Sequence, residues 1–339
     1  MELSPSALSQ ESAQCRCSWP RLPSTDPLAQ GIEQQLMQIL ADNHTSCMAL
    51  AGALATAPNH APTLPKNNAH TLTPTNTYVP RIIDTFLFFD ELSMLRLRYE
   101  MTRDVVDLYV LIEAKQTFTG KPKPLHFREG NHILPSGLLN RTIAVAIDLP
   151  YNPSVGNGSA WDNEAYQRDA FLKVLTEHVK PDPRDIILHS DLDEIFRSST
   201  LMAAARTLSL GPPADQHVLH LGMLFFYYNL SCVIEAKMWM QPFAVRYDVL
   251  MRYLADRGSG TGLINHLRVE RTIYIFRDLF SRGGWHLSYF KSLPKIFEKL
   301  DSFSHSEVNT EVVRREAAKR IHSGLSAVQH DRDQILFCR

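Results

Sequence analysis

The sequence predicts an α/β protein built on a parallel sheet flanked by helices, and three observations carry the reading. Ile82 to Phe89 (IIDTFLFF) is an apolar, β-prone run. A helical pattern follows it, and Val105 to Glu113 (VVDLYVLIE) returns to a strand, the order that a parallel sheet wound with helices produces. The third observation is Asp185 to Ile195 (DIILHSDLDEI), where the apolar strand Ile186 to Leu188 runs straight into Asp191, Asp193 and Glu194. Open α/β sheets bind ligands at the carboxyl ends of their strands, so acids placed there point to a site.

The elements follow in order. Asp90 stands as N-cap of a helix from Glu91 to about Met101, with Leu92, Leu95 and Tyr99 on one face. After the second strand, Ile143 to Ile147 reads as a third, leading into a loop with Pro150, Pro153, Gly156 and Gly158. A helix from about Asp162 to His178 then delivers the chain to the acidic strand. Ser198 and Ser199 cap a helix from Thr200 to Leu208; His217 to Tyr228 reads as one long strand and Thr272 to Phe276 as a short one. Asp256 to Gly262 (DRGSGTG) lacks the lysine and spacing of a P-loop and reads as a mobile loop. A polar helix from His305 to Val328 closes the pattern.

The totals bound the function. With 35 basic and 36 acidic side chains the net charge is -1, so no bulk field draws the protein to nucleic acid or an anionic membrane. A hydrophobic content of 44% supplies a core for one large domain among the 339 residues. Three of the five cysteines, Cys15, Cys17 and Cys47, precede the folded part, which argues against a disulfide framework. The longest uncharged apolar window, Cys47 to Ala57, falls far short of the roughly 20 residues that span a bilayer, so no membrane span is visible. Residues 1–80 hold nine of the 20 prolines and read as a largely disordered, poorly ordered N-terminal extension and linker, apart from a short amphipathic helix within Pro27 to Asn43. Residues 81–330 read as the folded domain.

Two carboxylates one residue apart in a turn can face one cation. Hard oxygen ligands favour Mg²⁺ or Mn²⁺, which keep open positions for phosphate oxygens, so Asp191 and Asp193 point to a metal-diphosphate site; a bare DxD also fits a solvated acidic loop. Three patches hold more polar and aromatic groups than packing needs. Glu113 to Pro124 (EAKQTFTGKPKP) places Glu113, Thr117, Thr119 and Lys123 over the same carboxyl-end surface if the sheet is parallel, or forms a surface turn. Gly283 to Tyr289 (GGWHLSY) sets Trp285 and His286 beside two glycines; His286 completes the metal's coordination or fills a hydrogen-bonded core position. Lys299 to Glu307 (KLDSFSHSE) carries His305 and Glu307, or merely caps the last helix.

Taken together, IIDTFLFFDELSMLRLRYE, VVDLYVLIEAKQTFTGKPKPLHF, DIILHSDLDEIF, GGWHLSYF and KLDSFSHSE resemble glycosyltransferase family 17, over much of Arg81 to about Thr310. The resemblance implies that residues 81–330 form a catalytic domain with a GT-A-like, Rossmann-type sheet flanked by helices, which binds Mn²⁺ (or Mg²⁺) through Asp191 and Asp193, with His286 as a further ligand. It implies UDP-GlcNAc as donor and transfer of N-acetylglucosamine, with inversion, to a glycan or glycoprotein acceptor such as the β-linked mannose of an N-glycan core. On this reading Glu113, Thr117, Thr119 and Lys123 serve the nucleotide end, and Trp285 with His286 closes the site over the diphosphate. Glu194 supports the metal pair or approaches the sugar. Inversion needs one carboxylate base, for which Glu194, Glu235, Asp248 and Glu307 are candidates. The resemblance implies a Golgi or other secretory compartment, whereas the lack of a visible signal or anchor leaves the cytoplasm open. Two other readings stand beside it: a phosphatase of the haloacid dehalogenase type with Asp191 as nucleophile, and a sugar-nucleotide-binding relative without turnover.

Overall fold

The computed structural model describes residues 78–209, 218–230, 232–258, 260–269, 283–304, 309–322 and 336–337. The readings made for residues 1–77, the strand at Thr272 to Phe276, and His305 and Glu307 lie outside the described residues, as does the side chain of Glu235.

The α/β architecture is present, with two mixed sheets. The first is six-stranded in the order β3-β2-β1-β4-β9-β6, built from β1 (Ile82–Phe88), β2 (Leu108–Ala114), β3 (Thr142–Ile147), β4 (Ile186–Asp191), β9 (Phe243–Arg246) and β6 (Val218–His220). Its first four strands are parallel, and β9 and β6 are added antiparallel. Central strands buried on both faces are mostly apolar, as β1, β2 and β4 are; the polar groups they bury are paired, Asp84 with Arg98 and Thr85 with His189. The helices α1 (Leu92–Thr102), α2 (His126–Gly130), α3 (Ser136–Leu139) and α4 (Ala160–Val174) connect these strands.

Helix α4 starts at a reciprocal cap: Ser159 accepts from the Asp162 backbone N–H while the Asp162 carboxylate accepts from that of Ser159. Its inner face packs Phe171 and Val174, with Leu175 just beyond, onto Ile83, Ile112 and Ile187. The expected Asp90 cap is displaced by one residue: Glu91 holds the N-cap position of α1 and makes no side-chain cap bond, while Asp90 turns away to pair with Lys291.

The second sheet, β11-β8-β7-β10-β5, comprises β11 (Leu336–Phe337), β8 (Cys232–Trp239), β7 (Met223–Tyr227), β10 (Gly284–Ser288) and β5 (Glu194–Phe196). Here the expected long strand from His217 to Tyr228 is corrected. The chain breaks at Leu221 and Gly222, so that β6 belongs to the first sheet and β7 to the second. An apolar run long enough for one strand serves two because both sheets bury it on both faces. The remaining helices are α5 (Ser198–Ser209), α6 (Tyr247–Arg257), α7 (Leu263–Val269), α8 (Leu293–Ser302) and α9 (Glu311–His322). Asp256 and Arg257 of the glycine-rich stretch are the last turn of α6. Gly262, at φ +85°, turns the chain into α7, and its N–H donates to Asp169 on α4.

Candidate active site

The chain lays β1, β2 and β3 out to one side and then places β4 on the other side of β1. Ligands of open α/β sheets bind where the strand order reverses in this way, because the connections diverge and leave a crevice. A cavity of about 560 Å³ opens there, with Leu87 and Phe88 from β1 and Asp191 from β4 in its wall. That volume falls in the range of small-molecule sites.

Strand β4 ends on Asp191, Leu192 and Asp193 make the turn, and β5 begins with Glu194. The turn is pinned by Arg98 of α1, which is fully buried. Its guanidinium forks onto Asp84 at 2.6 and 2.7 Å and donates to Ser190 Oγ and to the carbonyls of Asp191 and Glu194. Glu194 closes the turn from the other end by accepting the Asp191 N–H at 2.6 Å. It also accepts from the Trp239 indole and from Arg268. Burial pushes its carboxyl up to about 7, against the pull of Arg268.

The two aspartates have different surroundings. Asp191 gives one oxygen to Arg168 at 2.5 Å and the other to Arg268 at 2.9 Å. Burial alone favours its neutral acid, but the two guanidinium groups outweigh that and hold the carboxyl far below the usual range. Among the described residues the Asp193 side chain makes only long contacts, 3.6 Å to His286 Nε2 and 3.5 Å to Lys299 Nζ, beyond good hydrogen-bond distance. His286 stacks on Phe225 at 4.4 Å, and burial brings its imidazole down to about 4, so the ring is neutral at neutral pH. Its buried Nδ1 has no hydrogen-bond partner among the described residues.

Asp191, Asp193, His286, Thr117 and Lys123 all line the cavity. Glu113, Thr119, Trp285 and Glu194 are not in its wall. Glu113 accepts from Lys123 and from the backbone N–H groups of His126 and Phe127, which shapes the Thr-Gly-Lys-Pro loop and caps α2. Thr119 bonds Thr117 and the Asp301 carbonyl. Side chains alternate along a strand, so with His286 facing the cavity its neighbour Trp285 faces away, under the Arg197 guanidinium at 4.0 Å. Asp248 lies in the first turn of α6, paired with Arg246, outside the wall.

Sequence reading missed Arg168, Arg268, Lys299 and Glu91, all in the wall. The i,i+4 pair Glu164–Arg168 was a visible signal, but such pairs usually mark a solvated helix face. Arg268 carried none. Aromatic side chains also line the cavity: Phe225 and Trp239 lie 4.4 and 4.5 Å from the His286 ring, and Tyr227 and Tyr289 join them in the wall. Tyr289 is held at φ +57°, an unfavourable conformation for a bulky residue.

Among the described residues no group of three or more His, Cys, Asp or Glu side chains gathers to hold a metal unaided. Asp193 and a neutral His286 nevertheless stand side by side at the cavity. Two protein donors completed by phosphate oxygens and water fit Mn²⁺ or Mg²⁺, so the donor set is compatible with a substrate-bridged cation.

A switch-point crevice lined by an acidic turn, buried arginines and aromatic rings is the candidate site of this α/β protein. The chain belongs to glycosyltransferase family 17, whose model matches residues 66–325. It is 29% identical, over 257 residues, to the human β-1,4-mannosyl-glycoprotein 4-β-N-acetylglucosaminyltransferase, covering 67% of this chain and 44% of that one. The rat protein of the same name matches equally over 43% of its length. The chain thus spans less than half the length of these curated relatives. Among solved structures, mouse xyloside xylosyltransferase 1 aligns over 56% of this chain and 71% of its own, at 9% identity and TM-score 0.26. Mannose-6-phosphate isomerase from Helicobacter pylori aligns over 52% and 74%, at 12% identity and TM-score 0.27. Likenesses this slight carry no argument. No described helix is long and apolar enough to cross a membrane.

Proposed function

We propose that this glycosyltransferase moves N-acetylglucosamine from UDP-GlcNAc to a glycan hydroxyl with inversion, on a GT-A-like framework. The observation that carries the reading is one cavity holding Asp193, His286, Arg168, Arg268 and Lys299 beside an aromatic wall, in a chain of family 17. The cationic side suits a nucleoside diphosphate, and aromatic faces suit the apolar faces of sugar rings. Asp193 and His286 would hold a divalent cation, which would supply Lewis-acid stabilisation of the departing diphosphate. Lys123 and Thr117 line the cavity end formed by the β2 loop and are assigned to the nucleotide. Glu194, fully buried, acts through Arg268, Trp239 and the Asp191 backbone and is a positioning residue. An aspartyl nucleophile at Asp191, as a phosphatase requires, is disfavoured by the two arginines on its oxygens.

The base that takes the acceptor proton is assigned to Glu91, a carboxylate of the wall 3.0 Å from Lys291; burial raises its carboxyl but the Lys291 and Lys299 ammonium groups bring it down to about 2, so it stands ionised and accepts the proton once the acceptor hydroxyl displaces Lys291. Glu235 and Glu307 are the competing assignments. The test is UDP release from UDP-GlcNAc and from other UDP and GDP sugars, with and without Mn²⁺, for the parent chain and Glu91→Gln. Fastest release is expected from UDP-GlcNAc with Mn²⁺ and a glycan acceptor present. Glu91→Gln is expected to lose turnover by about 10² or more while keeping donor affinity. Unchanged turnover in that variant moves the base to Glu235 or Glu307. Phosphate release from phosphomonoesters without UDP release rejects the transferase reading.

A further inference from the structure

Resting on the donor site just proposed, we infer that the two aspartates of the DxD divide the work. Asp191 is the shared counter-anion that holds Arg168 and Arg268 ready for the diphosphate, and Asp193 with His286 is left to face the cation.

The oxygen inventory is the first support. Both Asp191 oxygens are engaged by guanidinium groups, at 2.5 and 2.9 Å, so a cation bound directly there would sit against two positive charges. Among the described residues Asp193 has no contact shorter than 3.5 Å to a charged partner, and its carboxylate can turn to a cation without breaking a strong bond.

The donor inventory is the second. Arg168 spends its Nε and one N–H of its NH2 on Glu164 and one N–H of its NH1 on Asp191, which leaves two of its five donors. Arg268 places NH2 on Asp191 and Glu194 and its Nε on Gln241, while its NH1 has only a 3.5 Å contact to Glu194. Both side chains are nearly buried yet reach the cavity wall. Guanidinium donors held in this manner suit paired phosphate oxygens.

The third support is how the pair is assembled. Arg168 lies on α4 and Arg268 on α7, exactly one hundred positions later, and Asp169, next to Arg168, accepts the N–H groups of Gly262 and Ile264 at the start of α7. One carboxylate thus docks the two helices, and the adjacent carboxylate, Asp191, binds both arginines. Two guanidinium groups brought together repel each other, so removing Asp191 would let them separate even if the backbone stayed in place.

The test measures Mn²⁺ affinity without nucleotide, by the loss of the free-ion electron paramagnetic resonance signal, and UDP affinity without metal, by calorimetry. Asp193→Asn is expected to weaken Mn²⁺ binding by about tenfold or more. Asp191→Asn is expected to keep Mn²⁺ affinity within about threefold and to lose UDP affinity by about tenfold. Arg268→Gln should lose a similar amount of UDP affinity, and the double variant Asp191→Asn with Arg268→Gln should lose less than the sum of the two. If Asp191→Asn fails to fold, as judged by circular dichroism, Arg168→Gln and Arg268→Gln carry the test: lost UDP affinity with retained Mn²⁺ affinity supports the division. Loss of Mn²⁺ binding in Asp191→Asn equal to that in Asp193→Asn, or full UDP affinity in the arginine variants, overturns it. A parent chain that binds neither Mn²⁺ nor UDP rejects the donor site itself, and the inference with it.

Discussion

At the scale of single residues, Arg98 shows how a functional turn is held from behind. It and Asp84 are both fully buried, and its NH1 fixes the carbonyls of Asp191, the first residue of the DxD, and of Glu194, just after it. Removing one partner of a buried pair strands the other charge. Arg98→Met is therefore expected to lower stability by about 3–5 kcal/mol, read from urea unfolding, and to weaken UDP binding. A loss under about 1 kcal/mol would show that the turn is held by other contacts. The acids of the turn were legible in the sequence because the apolar run Ile186 to Leu188 leads into them with only His189 and Ser190 between. Arg168 and Arg268 were not, since nothing local separates an arginine that turns inward from one on a solvated helix. Only the docking of α7 on α4 brings two positions a hundred residues apart onto one carboxylate. Glu113 stands at the carboxyl end of β2, as its place in the sequence suggests, and its oxygens accept from Lys123 and from the first N–H groups of α2.

At the scale of elements, β10 carries His286 to the cavity and depends on a close approach to β5. A Cβ added to Gly284 would lie 2.0 Å from the Ile195 carbonyl oxygen, and backbone cannot swing aside as a side chain can. Gly284→Ala is expected to cost about 1–3 kcal/mol in chemical denaturation and to draw His286 from Asp193, so Mn²⁺ affinity should fall with stability. Unchanged stability would mean that the β5–β10 pairing is looser than its register implies. The two glycines of GGWHLSY were correctly noticed, and alternation along the strand could have separated Trp285 from His286 in advance. The break between β6 and β7 could not be foreseen from pattern, because an apolar run has no period that marks a change of sheet. The Gly-rich stretch at the end of α6 offered a false phosphate cradle; Gly262 instead supplies the left-handed turn that starts α7.

At the scale of the whole molecule, strand order decides where the site lies. The α/β class was legible from the strand–helix–strand order at the start of the domain and from the Asp185 to Ile195 strand. The second sheet was not, because β10 joins β5 and β7 across long sequence separations, although β7 and β8 are consecutive antiparallel strands. The cavity gathers side chains from both sheets and from α4, α7 and α8, so its chemistry emerges only when all five come together. Calorimetric titration of UDP-GlcNAc into the chain, with Mn²⁺ and with chelator, measures this assembly most directly. Binding with a dissociation constant between about 1 μM and 1 mM in Mn²⁺, at least tenfold weaker in chelator and in Asp193→Asn, is the expected result. No binding of UDP-GlcNAc or UDP to the folded chain, or binding indifferent to both metal and Asp193, would contradict a nucleotide-sugar site at the switch point.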